Sequence, residues 1–127
     1  MSALAYQQNG YLSATKTTGV PLKIEYQVFS KVTGQLNRAT QEGAHFSDLA
    51  HALDENLKLW QALALDVMRD ENGLPPQLRA QLFYLYKFTR EHSRKVLRRE
   101  ADAQALIDIN TSIMRGLRQA AQNEGAE

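Results

Sequence analysis

The sequence contains no cysteine. That absence excludes a disulfide scaffold, a cysteine-based zinc site, an iron–sulfur cluster and a thiol nucleophile together. Three prolines and seven glycines are too few for a fibre or a low-complexity chain. Fifteen Lys and Arg against fourteen Asp and Glu leave a net charge of +1, far from the basic excess of a dedicated nucleic-acid binder. No apolar run is long enough to cross a membrane. Residues Met1 to Tyr6 have neither the charged nor the apolar segment of a secretory signal, so a cytoplasmic location is expected. Catalytic spacings are missing as well. His45, His51 and His92 fall on three different segments, with no HExxH pattern, Gly-rich phosphate loop or GxSxG elbow. The neighbouring carboxylates Asp54-Glu55 and Asp70-Glu71 point in different directions on a helix and form no acid/base pair. The expectation is a protein that is not an enzyme and uses no cofactor or metal.

What is present is helical periodicity. The 127 residues suit one domain, since domains most often hold about 100–150 residues, and 43 % hydrophobic content supplies a core. Residues 1–19 are small and polar and read as a mobile N-terminal arm. Residues 20–118 read as a single helical domain, and 119–127 as a frayed tail. Pro21 is a good first helical position, and Leu22, Tyr26, Phe29 and Leu36 make a stripe that Gly43 ends near residue 42. Ser47 and Asp48 suit the start of a second helix. Its seam of Leu49, Leu53, Asn56, Trp60, Leu63 and Val67 steps 4, 3, 4, 3, 4 residues, with Leu57, Leu59, Ala64 and Leu65 widening it. Asn72-Gly73 is the stop. A third helix follows Pro75-Pro76, with Leu78, Leu82, Leu85, Thr89, His92 and Val96 at the same steps. Asp102 is the expected N-cap of a fourth helix carrying Leu106, Asn110, Ile113 and Leu117. The spacing predicts helices near 21–42, 47–72, 76–99 and 102–118, with no period-2 strand pattern. The fold class is all-α, a small four-helix bundle, with the first helix packing loosely beside the arm.

Several side chains have both a packing and a functional reading. Asn56 and Asn110 lie mid-seam, where a buried Asn fixes register; they either bond across the bundle or to water, or form a polar notch for a partner helix, and the first is favoured because buried polar groups are nearly always satisfied internally. His92 reads as a satisfied boundary histidine. Trp60, on the second seam, reads as a core anchor. Residues 41–72 carry seven acids against two bases, a balance of −5, and residues 79–100 carry seven bases against two acids, a balance of +5. Antiparallel packing of the two middle helices accounts for this sign change. The alternative makes Arg90, Arg94, Lys95, Arg98 and Arg99 a site for an acidic partner or for RNA. The third helix is also apolar around most of its girth, with Phe83, Tyr84, Tyr86 and Phe88. It is either buried by the other three or open to an amphipathic helix. Tyr26, Phe29, Tyr84 and Tyr86 are the candidate partner contacts.

Several phrases resemble the alphaproteobacterial flagellar biosynthesis regulator family FlaF. They are Ala5-Tyr6, Pro21-Leu22-Lys23-Ile24-Glu25-Tyr26 with Val28-Phe29 and Val32-Thr33, and Leu53-Asp54-Glu55-Asn56 leading to Leu59-Trp60. Leu74-Pro75 followed by Leu78-Arg79-Ala80-Gln81-Leu82 comes next, and then Glu100-Ala101-Asp102 into Leu106-Ile107-Asp108-Ile109-Asn110, Ile113-Met114 and Gly116-Leu117. The resemblance spans about residues 5–117. It implies a non-enzymatic role in flagellum assembly, supporting flagellin production and export, with flagellin, an FlbT-like regulator and the export apparatus as partners. The chain departs from the pattern at Pro21-Leu22-Lys23, where family members often carry Pro-Arg, and in its longer tail. An RNA-binding regulator of flagellin mRNA, using residues 79–99, is the alternative function.

Overall fold

The computed structural model describes residues 26–125, and side-chain surroundings up to residue 119. The expected arm over 1–19 and the expected helix start at Pro21 lie outside the described residues. Four helices follow: α1 (Tyr26–Ala39), α2 (Phe46–Met68), α3 (Pro76–Leu97) and α4 (Gln104–Gly125). No strand occurs among the described residues, and the architecture is an all-α four-helix bundle. No helix among them is long and apolar enough to cross a membrane.

The helix ends differ from the sequence expectation for local reasons. α1 stops at Ala39 because the side chains of Thr40 and Gln41 both donate to the Asn37 carbonyl, each at 2.9 Å, replacing the next helical donor. Gly43, with φ +92°, then turns the chain. The N-cap of α2 is His45 rather than Ser47, while Asp48 keeps its place in the first turn. α2 stops at Met68, four residues short of Asn72. The buried Asp66 carboxylate accepts from Arg69 at 2.8 Å and from Asn72 Nδ2 at 3.3 Å, and Asn72 Oδ1 accepts from the Leu74 N–H at 3.0 Å. These bonds offer the backbone a turn in place of another helical coil. Arg79 of α3 closes the same junction, donating from Nε to the Val67 carbonyl at 2.7 Å and from its terminal nitrogen to the Arg69 carbonyl at 3.0 Å.

α3 begins at Pro76, as the two prolines require. Its end uses paired bonds, from the Arg99 N–H to the Val96 carbonyl at 2.9 Å and from the Glu100 N–H to the Lys95 carbonyl at 2.8 Å. This is a Schellman ending, whose left-handed residue is usually glycine. Here it is Arg99, at φ 63°, with its guanidinium 4.5 Å from the centre of the Phe46 ring. Asp102 caps α4 by accepting from the Gln104 N–H at 3.0 Å. α4 runs to Gly125, past the expected helix end at 118; Gln119, Ala120, Ala121 and Gln122 are good helix formers.

α2 lies against both α1 and α3, and α1 also lies against α4. α1 is not loosely packed: Phe29, Val32 and Leu36 are buried. α2 buries nine residues and α3 only four, so the central helix is α2. The core has two apolar layers. One contains Phe29, Trp60, Leu63, Leu82 and Leu117, and the other Leu36, Leu53, Val96, Leu106 and Ile107.

A polar layer separates them. Asn110 Nδ2 donates to Thr33 Oγ1 at 3.1 Å and to Asn56 Oδ1 at 2.8 Å, while Asn110 Oδ1 accepts from Trp60 Nε1 at 3.0 Å. All four side chains are buried. Asn56 and Asn110 therefore bond across α1, α2 and α4, and neither forms a notch open to a partner. The indole of Trp60 is enclosed, edge-on to Phe29 with ring centres 5.8 Å apart.

Candidate functional site

With α2 at the centre, the outer faces of α2 and α3 remain uncovered. Leu65 is 67 % exposed and Met68 59 % on α2, and Tyr84 66 % on α3; exposed large apolar side chains of this kind mark interaction surfaces where they gather. Between the two helices runs a groove of about 390 Å³ lined by Leu65 and Met68 from α2 and by Phe83, Tyr86 and Arg90 from α3, with Gln61 and Ala64 at its base. The rings of Phe83 and Tyr86 stand 5.8 Å apart. Beyond them on α3, Tyr84 and Leu85 border a shallower depression with Gln77, Ala80 and Gln81.

The candidate contacts do not share one site. Tyr86 and Arg90, both half-buried, face the α2–α3 groove, while Tyr84 stands on another face of α3, beside Gln81 and Leu85. Phe29 is 0 % exposed and packs on Trp60. Its place is in the core, which corrects its reading as a surface contact. Tyr26, at the start of α1, is half-buried and accepts a hydrogen bond from Arg118 of α4 through its hydroxyl, so it lies away from the α2–α3 face. Arg94 is exposed and pairs with Glu91 at 3.5 Å.

The basic stretch is largely engaged within the chain. Arg79 holds the α2 end, Arg98 pairs with Glu100 at 3.2 Å, and Arg99 stacks on Phe46. The Arg98 guanidinium is held above its ordinary pKa, first by the hydrogen bond it donates to Glu100. Lys87 lies 6.0 Å from the Phe83 ring centre and Arg90 5.6 Å from that of Tyr86. His92 stacks on Phe88 and donates from Nε2 to the Asp102 carbonyl at 2.8 Å, which ties α3 to the start of α4.

Sequence reasoning missed Leu65 and Met68 as surface residues. The signal was available: the seam positions Trp60, Leu63 and Val67 are buried, and Leu65 and Met68 fall off that seam. A second groove, of about 280 Å³, lies between α3 and α4, where Leu78, Leu82, Leu85, Ile113 and Gly116 line it. Gly116 is inside α4 and does not end the helix.

No curated protein and no solved structure matches the chain. A family model described as flagellar protein FlaF matches residues 7–117. That span takes in all of α1, α2 and α3 and the part of α4 that packs into the core, and the chain belongs to the FlaF family of flagellar proteins.

Proposed function

We propose that this FlaF-family chain is a non-enzymatic flagellum-assembly factor of the cytoplasm. It binds flagellin before assembly, promotes its synthesis and export, and works with an FlbT-like translational regulator. Flagellin ends are amphipathic helical segments that stay unpacked until the filament forms, and exposed segments of that kind aggregate or assemble early. A bundle with an apolar outer face covers them in the helix-in-groove mode. The observation that carries the reading is the exposure of Leu65 and Met68 on α2 where they line a groove with Phe83 and Tyr86 of α3. Modest affinity suits the role, because the export apparatus has to strip the cargo.

The RNA-binding alternative draws less support. Acids balance the bases to a net charge of +1, unlike a dedicated nucleic-acid binder, and Arg79, Arg98 and Arg99 of the basic stretch are engaged within the chain. Co-purification of flagellin in the presence and absence of the FlbT-like regulator tests the proposal. Flagellin is expected to co-purify in both cases. Recovery only when the regulator is present would make this chain a subunit of a regulator complex with no flagellin contact of its own. Binding of flagellin mRNA that weakens steeply with salt would instead support the alternative.

A further inference from the structure

The α2–α3 groove has an electrostatic side as well as an apolar one. Its walls are Leu65 and Met68 on one helix and Phe83 and Tyr86 on the other. Lys87 and Arg90 are held against the two aromatic rings on the α3 side. Among the described residues neither cation pairs with a carboxylate. Arg90 Nε is cut off from solvent and has no hydrogen-bond partner. A buried, unbonded donor on a charged group is costly, and a carboxylate is the acceptor that best meets a guanidinium. Asp66, the acid on this stretch of α2, is turned to Arg69 and Asn72.

We propose that this groove binds an amphipathic helix of a protein partner with acidic residues along one flank of its apolar stripe. The stripe packs on Leu65, Met68 and Phe83, and the flanking carboxylates meet Lys87 and Arg90. The inference rests on the flagellin-binding reading and adds the chemistry by which the site selects a segment and orients it. An oppositely charged rim chooses partner and register more than it adds affinity.

The test uses the full chain, monomeric flagellin, and two synthetic helical peptides with the same Leu and Phe stripe, one flanked by Glu and the other by Lys. The Glu-flanked peptide is expected to bind at least about tenfold more tightly than its counterpart, the size of one well-formed charge contact. Leu65→Ser should weaken it about thirtyfold, as truncation of a central anchor does. Lys87→Gln and Arg90→Gln should each erode the preference between the peptides. Leu97→Ser, at another exposed apolar site, should change nothing. Lys87 is exposed, so its variant keeps the test open if Arg90→Gln fails to fold. Equal binding of the two peptides, or no binding of either, overturns the proposal. So does a dimer of the chain that Leu65→Ser dissociates, or displacement of the peptide by RNA. If flagellin binds the parent chain and the Leu65→Ser variant alike, the groove is wrong and the flagellin reading stands. If the Glu-flanked peptide binds as described and flagellin does not, the groove stands and the flagellin reading falls.

Discussion

Asn110 serves three buried side chains at once, Trp60, Asn56 and Thr33. Asn110→Ala leaves the Trp60 N–H and the Asn56 oxygen buried without partners, each costing about 1–3 kcal/mol. The expected loss is therefore about 2–6 kcal/mol in a denaturant melt. Trp60→Phe keeps a ring beside Phe29 and removes one donor, so it should cost less. A near-neutral Asn110→Ala would mean that water replaces the amide. Arg99 allows a second residue-scale test. A side chain in the left-handed region costs about 1–2 kcal/mol, which glycine avoids, while the stack on Phe46 returns about 0.5–1 kcal/mol. Arg99→Ala loses the stack and keeps the strain. Arg99→Gly loses the stack and sheds the strain. The glycine variant should therefore be the more stable of the two by about 1 kcal/mol in thermal melts.

At the scale of the helices, the seams were legible because a core leaves a period of its own in the sequence. Leu53, Asn56, Trp60, Leu63 and Val67 are all buried as their 3–4 steps required. Bonding of Asn56 and Asn110 across the bundle follows from their seam positions, but that they bond to each other, with Trp60 and Thr33, does not. Such contacts join residues up to 77 apart in sequence, and no local pattern records them. The ends of α1 and α2 were misplaced for a similar reason. Gly43 and Asn72-Gly73 are true punctuation, but side chains of Thr40, Gln41 and Asp66 capture backbone or turn groups earlier. The candidate contacts divided along the same line. Tyr84 is exposed as a face-counting argument suggests, whereas Phe29 needed the packing of α1 on α2 to be placed. Arg79 belongs to this scale too, since it holds the end of one helix from the start of the next. Arg79→Ala frees the Val67 and Arg69 carbonyls. It should cost about 1.5–3 kcal/mol, the range for hydrogen bonds from a charged group, with faster amide exchange around Asn72 and Leu74. A loss spread evenly over the bundle would instead assign Arg79 a general packing role.

For the whole molecule, the polar layer joins α1, α2 and α4 and leaves α3 out. α3 buries only four residues, and one of them, Thr89, has a hydroxyl with no hydrogen-bond partner. Its amides should exchange through a local opening at lower free energy than those of the other three helices. Exchange at one common free energy in all four would show that α3 unfolds only with the rest. The enclosure of the single tryptophan also has an optical consequence. Trp60 is shielded by Phe29 and fixed by Asn110, so its emission senses the meeting of α1, α2 and α4 rather than the outer face of the bundle. Ligand seated on Leu65 and Tyr86 should leave the spectrum dark to its arrival, and a red shift during a titration would signal that the bundle itself had parted.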